Sequence, residues 1–171
     1  MKENKKKEKL KYFCKEYLPY ILIIVFVLFI KQFIVSPIKV NGDSMFKTLH
    51  DGDIMILDKI SYNFSEIKRF DIVVVDDGSE FIIKRVIGLP GEKIEYRNNI
   101  LYINGKKIKD NYASSDTNDF IMVVPDDKYF VLGDNRASSK DSRFYGAFSE
   151  KEILGKAKLV LLPFNRFGNK K

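Results

Sequence analysis

Hydrophobic and polar positions divide this chain into two unlike parts. From Tyr17 to Ile30 the sequence is apolar apart from tyrosine hydroxyls and Pro19, and after Lys31-Gln32 the run continues as Phe33-Ile34-Val35. An apolar stretch of about 20 residues crosses a bilayer as a helix. Residues 17–35 are therefore expected to form one transmembrane segment, with the Lys31 amine snorkelling near its outer end. Beyond it the hydrophobic period becomes two. Residues 38–40, 53–59, 71–76, 80–87, 93–97, 100–103, 121–124, 129–132 and 158–162 are short β-branched or alternating runs and read as strands. Turn signals separate them: Asp51-Gly52, Asp77-Gly78, Pro90-Gly91, Asn98-Asn99 and Asn104-Gly105. The last two predict a meander of hairpins. Asn111 to Asp119 is polar and is expected to be a mobile loop. Ser149 and Glu152 have capping-box spacing, which predicts a short helix ended by Gly155. The expected fold class is mainly β: a compact antiparallel β-sheet domain preceded by one N-terminal transmembrane helix.

Charge gives the apolar segment an orientation. Of the net charge of +7, residues 1–16 carry +4, from Lys2, Lys5, Lys6, Lys7, Lys9, Lys11 and Lys15 against Glu3, Glu8 and Glu16. Lysines ahead of a membrane span keep that end in the cytoplasm. Residues 1–16 are thus read as a cytoplasmic tail, 17–35 as a signal-anchor, and 36–171 as an extracytoplasmic domain at the cytoplasmic membrane. Val35-Ser36-Pro37 offers no small-x-small cleavage site, which favours an uncleaved anchor over a removed signal peptide. The remaining +3 is scattered and makes no case for nucleic acid as a partner. Cys14 falls on the cytoplasmic side, and residues 36–171 hold no Cys for disulfides or metal. His50 is the only imidazole, which argues against a zinc hydrolase.

With one His and one Cys, a hydroxyl nucleophile activated by an amine base is the hydrolytic chemistry that remains. Ser44 follows Gly42-Asp43 in an expected turn after the 38–40 strand. Lys84 stands between Phe81-Ile82-Ile83 and Val86-Ile87. Pointing into an apolar interior, it would lose its charge readily and act as a base near neutral pH. Periodicity leaves the opposite arrangement open, with Lys84 on the polar face and Arg85 inward, paired with a carboxylate. A third cluster, Gly133 to Arg143, packs acids, bases and hydroxyls directly after the 129–132 strand. There Ser139 can hydrogen-bond the lysine while Asp141 and Arg143 pair to hold the loop. Ser44-Met45-Phe46-Lys47 also fits the Ser-x-x-Lys motif of penicillin-binding proteins and β-lactamases. Its surroundings are not helical, however, and no Lys-Thr-Gly follows. A Ser44/His50 pair is a weaker reading than an exposed loop histidine.

These stretches, taken in order, resemble bacterial type I signal peptidases, in the compact single-anchor form of Gram-positive bacteria. The likeness runs from the lysine-rich start and anchor through Ser44-Met45, Gly52-Asp53 and Lys84-Arg85-x-x-Gly88-Leu89-Pro90-Gly91 to Gly133-Asp134-Asn135-Arg136 and Asp141-Ser142-Arg143. The resemblance implies a serine endopeptidase that removes signal peptides from exported preproteins at the lipid bilayer, as a monomer and without cofactor or metal. It implies Ser44 as nucleophile and oxyanion donor, Lys84 as general base, Ser139 as the hydroxyl orienting the amine, and Asp141 and Arg143 as a supporting pair. It also implies that Ile38, Val40, Met45 and Ile83 wall shallow pockets for small side chains before the cleavage site, beside a strand to which substrate adds. Two positions depart from the family: Lys47 stands where Pro is usual, and Gly42 where some members have a second oxyanion-donating serine. A non-catalytic anchored β domain that binds preproteins or translocon components is the alternative, disfavoured by the retained Ser44, Lys84 and Ser139. A self-cleaving repressor with the same dyad is disfavoured by the anchor and by the lack of a DNA-binding domain.

Overall fold

The computed structural model describes residues 2–170, without the side chains of residues 2–11 and Cys14. The readings placed on Cys14 and on the lysines up to Lys11 fall outside those described side chains. The chain forms two compact units, Met1–Val35 and Ser36–Lys171. The first is a helix, α1 (Lys2–Phe33), with Pro19 inside it. Its stretch Lys15–Phe33, 19 residues with mean hydropathy 1.7, is long and apolar enough to cross a membrane.

Among the described residues twelve strands follow: β1 (Val35–Lys39), β2 (Ile54–Asp58), β3 (Ile72–Asp76), β4 (Phe81–Gly88), β5 (Lys93–Arg97), β6 (Ile100–Ile103), β7 (Lys106–Ile108), β8 (Phe120–Val123), β9 (Lys128–Leu132), β10 (Phe148–Ser149), β11 (Ile153–Leu162) and β12 (Gly168–Asn169). Two short helices, α2 (Ser61–Phe64) and α3 (Ser142–Tyr145), lie between them. The larger sheet has the order β1-β2-β11-β3-β4-β9-β10, with β12 beside β11, and the smaller the order β7-β6-β5-β8. Residues of β3 are buried at four consecutive positions, and β4 is buried from Lys84 to Gly88. Strands covered on both faces read as continuous apolar runs and lose the alternation of a one-sided sheet. By contrast β5 and β6 alternate, turning Ile94, Tyr96, Leu101 and Ile103 inward. Their hairpin turns on Asn98 and Asn99, both with positive φ (49° and 61°), as a two-residue turn with the right twist requires.

Three buried apolar clusters hold the domain together. One of them, built on Met55, Leu57, Ile72, Val74 and Val160, also receives Val40, Met45 and Leu49 from the segment after β1. The sequence expectations fail in two places. The capping box of Ser149 and Glu152 forms in both directions but starts only a single 3-10 turn, Glu150–Glu152, and Ile153 already begins β11. Gly155 ends no helix; a Cβ there would meet Asp58 O at 2.2 Å, so glycine serves the close approach of β2. The 111–119 connection, expected as a free loop, is tied down. Ser114 N donates to Asp134 O at 2.8 Å, Thr117 is buried, and the Asn99 side chain bonds Asp116 and Thr117 N.

Candidate active site

The segment from Asp43 to Leu49 folds as a short helical turn, with Phe46 N donating to Asp43 O and Leu49 N to Met45 O. Met45 and Leu49 stand one turn apart and are both fully buried in the core. Each contributes about 1.5–3 kcal/mol by leaving water, so the turn that carries Ser44 is plugged into the sheet at both ends. Polar ties add direction. Thr48 Oγ1 donates to Asp134 Oδ2 at 2.5 Å, Asn135 N to Ser44 O at 2.9 Å, and Asn135 Nδ2 to Asp43 O at 3.2 Å. On the far side Arg166 forks onto Asp53 at 2.9 and 3.0 Å and donates to Thr48 O, while Asp53 accepts from His50 N. His50 lies against Arg166 and the Phe46 ring, and no hydrogen bond joins it to Ser44.

Lys84, in β4, brings its Nζ to 2.9 Å from Ser44 Oγ across a separation of 40 residues. The side chain is buried. Burial disfavours the ammonium and lowers the Lys84 pKa below the ordinary lysine value, while Asp141, Glu80 and Asp77 pull it back up. Its neighbour Arg85 is also fully buried and leaves the strand the other way. Arg85 Nε donates to Asp134 Oδ1 at 2.8 Å, Nη2 to Asp134 Oδ2 at 2.7 Å, and Nη1 to Phe70 O at 2.8 Å. The two arrangements left open by periodicity are both half right, because β4 is covered on both faces.

Asp141 is fully buried, pairs with Arg143 Nε at 2.8 Å and accepts from Gly133 N at 3.0 Å. Arg143 Nη2 in turn donates to Arg136 O at 2.7 Å, closing the 133–143 loop on itself. Ser139 corrects one expectation. Its Oγ is buried without a hydrogen-bond partner and does not bond the Lys84 amine. The hydroxyl packs instead against Gly133, where a Cβ would lie 2.3 Å from Ser139 Oγ and 2.5 Å from Ser44 O. Only glycine lets the three segments meet.

Ile38, Val40, Met45 and Ile83 share one apolar cluster, Val40 and Met45 nearly closed to solvent and Ile38 and Ile83 partly so. A cleft of about 210 Å³ runs past Val40, Ser44, Met45, Ile83 and Lys84. A wider groove of about 640 Å³ lies elsewhere, between Ile121, Arg136 and Phe144, and includes Ser139 and Arg143 of the candidate residues. The smaller cleft is the one that contains the close amine and hydroxyl. Among the described residues no group of three His, Cys, Asp or Glu is arranged to hold a metal ion. The sequence reading assigned no role to Thr48, Asp134, Asn135 or Arg166. Asp134 and Asn135 were visible as part of the Gly133-to-Arg143 cluster, and Arg85 as a charge in an apolar run. Arg166, 113 residues from its Asp53 partner, gave no local signal.

The arrangement can deprotonate a serine hydroxyl with a buried amine, the requirement for acyl transfer. Comparison with known proteins points the same way. Residues 14–162 match the family described as signal peptidase, peptidase S26. Signal peptidase I of Bacillus amyloliquefaciens is 42% identical over 158 residues, covering 85% of each chain. Signal peptidase I S of Bacillus subtilis is 42% identical over 159 residues, covering 85% of this chain and 86% of its own. Signal peptidase IB of Staphylococcus aureus is 36% identical over 178 residues, covering 90% and 93%. A crystal structure of a signal peptidase I from Enterococcus faecalis, 35% identical, superposes with a TM-score of 0.51 over 54% of this chain and 97% of its own. The chain belongs to the signal peptidase family, peptidase S26, and is a serine endopeptidase.

Proposed function

We propose that this protein is a single-pass membrane endopeptidase that removes signal peptides from exported preproteins with a Ser44/Lys84 dyad. The observation that carries the reading is the 2.9 Å approach of a buried Lys84 amine to the Ser44 hydroxyl. Neutral Lys84 takes the Ser44 proton as Oγ attacks the scissile carbonyl carbon, and the tetrahedral oxyanion meets the Ser44 N–H. Lys84 then gives that proton to the leaving amine. A water deprotonated by Lys84 hydrolyses the acyl-enzyme and restores the serine. Asp141 and Arg143 hold the loop beside the amine.

The substrate is read as an extended segment added along β1, an end strand of the larger sheet, where main-chain bonds ask for little sequence. Small side chains enter the cleft lined by Val40, Met45 and Ile83, while Ile38 belongs to the same apolar cluster but does not line the cleft. Residues 17–35, most of which lie in the apolar helical stretch Lys15–Phe33, serve as the anchor, with residues 1–16 cytoplasmic and 36–171 outside, and the protein works as a monomer. Tethering enzyme and substrate in one bilayer raises their effective concentration. The test is cleavage of a preprotein with Ala at the first and third positions before the junction, followed by mass measurement. Ser44→Ala and Lys84→Ala are each expected to abolish the products; undiminished cleavage by either overturns the dyad.

A further inference from the structure

The peptide group joining Asp43 to Ser44 is held from one side only. Asp43 O accepts from Asn135 Nδ2 at 3.2 Å and from Phe46 N at 3.1 Å. The next carbonyl, Ser44 O, accepts from the Asn135 backbone N–H at 2.9 Å. In a trans peptide the C=O and N–H point in opposite directions. Fixing Asp43 O on the Asn135 amide therefore turns the Ser44 N–H away from the 133–136 loop. Among the described residues that N–H has no hydrogen-bond partner.

The Asn135 amide is itself oriented. Ser115 Oγ donates to Asn135 Oδ1 at 3.3 Å and accepts from Ala137 N at 3.0 Å. With the carbonyl end of the amide taken by Ser115, the NH₂ end faces Asp43 O. Ser115 is in turn held by its flanks: Ser114 N bonds Asp134 O at 2.8 Å, and Asn99 Nδ2 bonds Asp116 Oδ1 at 2.7 Å. The relay thus starts at the β5–β6 turn, crosses the 111–119 connection, and ends on the peptide beside the nucleophile.

We propose that Asn135, oriented by Ser115, is a positioning residue that aims the Ser44 N–H at the developing oxyanion; this rests on Ser44 being the nucleophile. The need for such a device follows from Gly42, which has no side-chain hydroxyl to contribute a second donor. With fewer donors, the aim of the remaining N–H weighs more. An oxyanion contact acts on the transition state and not on bound substrate, so its loss appears in kcat and leaves KM in place.

The experiment uses the full chain in detergent micelles, a preprotein substrate, and the variants Asn135→Ala, Ser115→Ala, Ser115→Thr, the Ser115→Ala/Asn135→Ala pair and Ser44→Ala. Asn135→Ala is expected to lower kcat about tenfold, below the full loss of an oxyanion donor because the N–H remains but wanders. KM stays within about twofold. Ser115→Ala gives a smaller loss of kcat, which Ser115→Thr restores by returning the hydroxyl, and adds little on top of Asn135→Ala. The acid limb of the kcat profile stays in place, because Lys84 is untouched. Parental kcat in Asn135→Ala, a loss confined to KM, a moved acid limb, or multiplying losses in the pair would each overturn the proposal. Thermal unfolding of each variant is measured beside the kinetics; if Asn135→Ala does not fold, the Ser115→Ala and Ser115→Thr comparison decides. Cleavage surviving in Ser44→Ala sinks the underlying dyad, whereas an inactive Ser44→Ala beside a fully active Asn135→Ala sinks only this inference.

Discussion

Replacing Arg85 by methionine removes the buried charge next to Lys84 in the strand without emptying its space. Arg85 is fully buried, forks onto Asp134 at 2.8 and 2.7 Å, bonds Phe70 O at 2.8 Å, and stacks 3.7 Å from the Tyr112 ring centroid. After Arg85→Met, Asp134 keeps the Thr48 hydroxyl as a donor but stands as a carboxylate closed off from water. Breaking one half of a buried pair costs roughly 3–5 kcal/mol. At about 3–5 °C per kcal/mol for a domain of this size, the unfolding midpoint falls by roughly 9–25 °C. Near-UV circular dichroism of the full chain in micelles follows this through the tyrosines. Adding Asp134→Asn to Arg85→Met removes the stranded charge and is expected to recover part of the loss. A midpoint for Arg85→Met within about 3 °C of the parent, or no recovery in the pair, refutes the reasoning.

On the proposed dyad, the rate of cleavage is expected to rise with pH as Lys84 loses its proton, through a limb that burial places below the ordinary lysine value of 10.5. Asp141→Asn removes a charge that raises that pKa and leaves Arg143 unpaired, so the limb is expected to move to lower pH; a rise contradicts the assignment. Gly133→Ala places a methyl 2.5 Å from Ser44 O and 2.3 Å from Ser139 Oγ. It is expected to cost roughly 1–3 kcal/mol of stability by overpacking and most of kcat, with kinetics and thermal unfolding as the measurements. Arg166→Ala frees Asp53 and Thr48 O, and is expected to lower the midpoint and kcat together. Arg166→Lys restores them only in part, since an ammonium cannot fork onto a carboxylate; full restoration in the same assays would argue for charge alone.

Strand positions were readable from the chain because β-branched runs and turn dipeptides mark them directly, as at 93–97, Asn98-Asn99 and 100–103. Less of the short elements was visible. Nothing in Lys106–Ile108 alternates strongly enough to announce β7, and β10 and β12 are two residues each. The Ser149 box signalled a real cap but not the length of what it capped, which β11 cuts short by claiming Ile153. Local sequence marked Ser44 and Lys84 as unusual, yet their approach depends on the curl of a sheet in which β1 and β4 are not neighbours. Polarity made 111–119 look free, when its polar groups are partners for Asn99, Asp134 and Asn135. Polar composition records that hydrogen bonds are wanted, not whether water supplies them.

The ties that shape the Ser44 turn reach far along the chain: 40 residues to Lys84, 86 to Asp134 and 118 to Arg166. Contacts of such span form late, after the entropy of closing long loops has been overcome. During synthesis Ser44 therefore emerges well before Lys84, and Arg166 follows later still. On the proposed dyad, a half-made chain carries the alcohol without its amine and is expected to cut nothing until the 40-residue loop between them has closed.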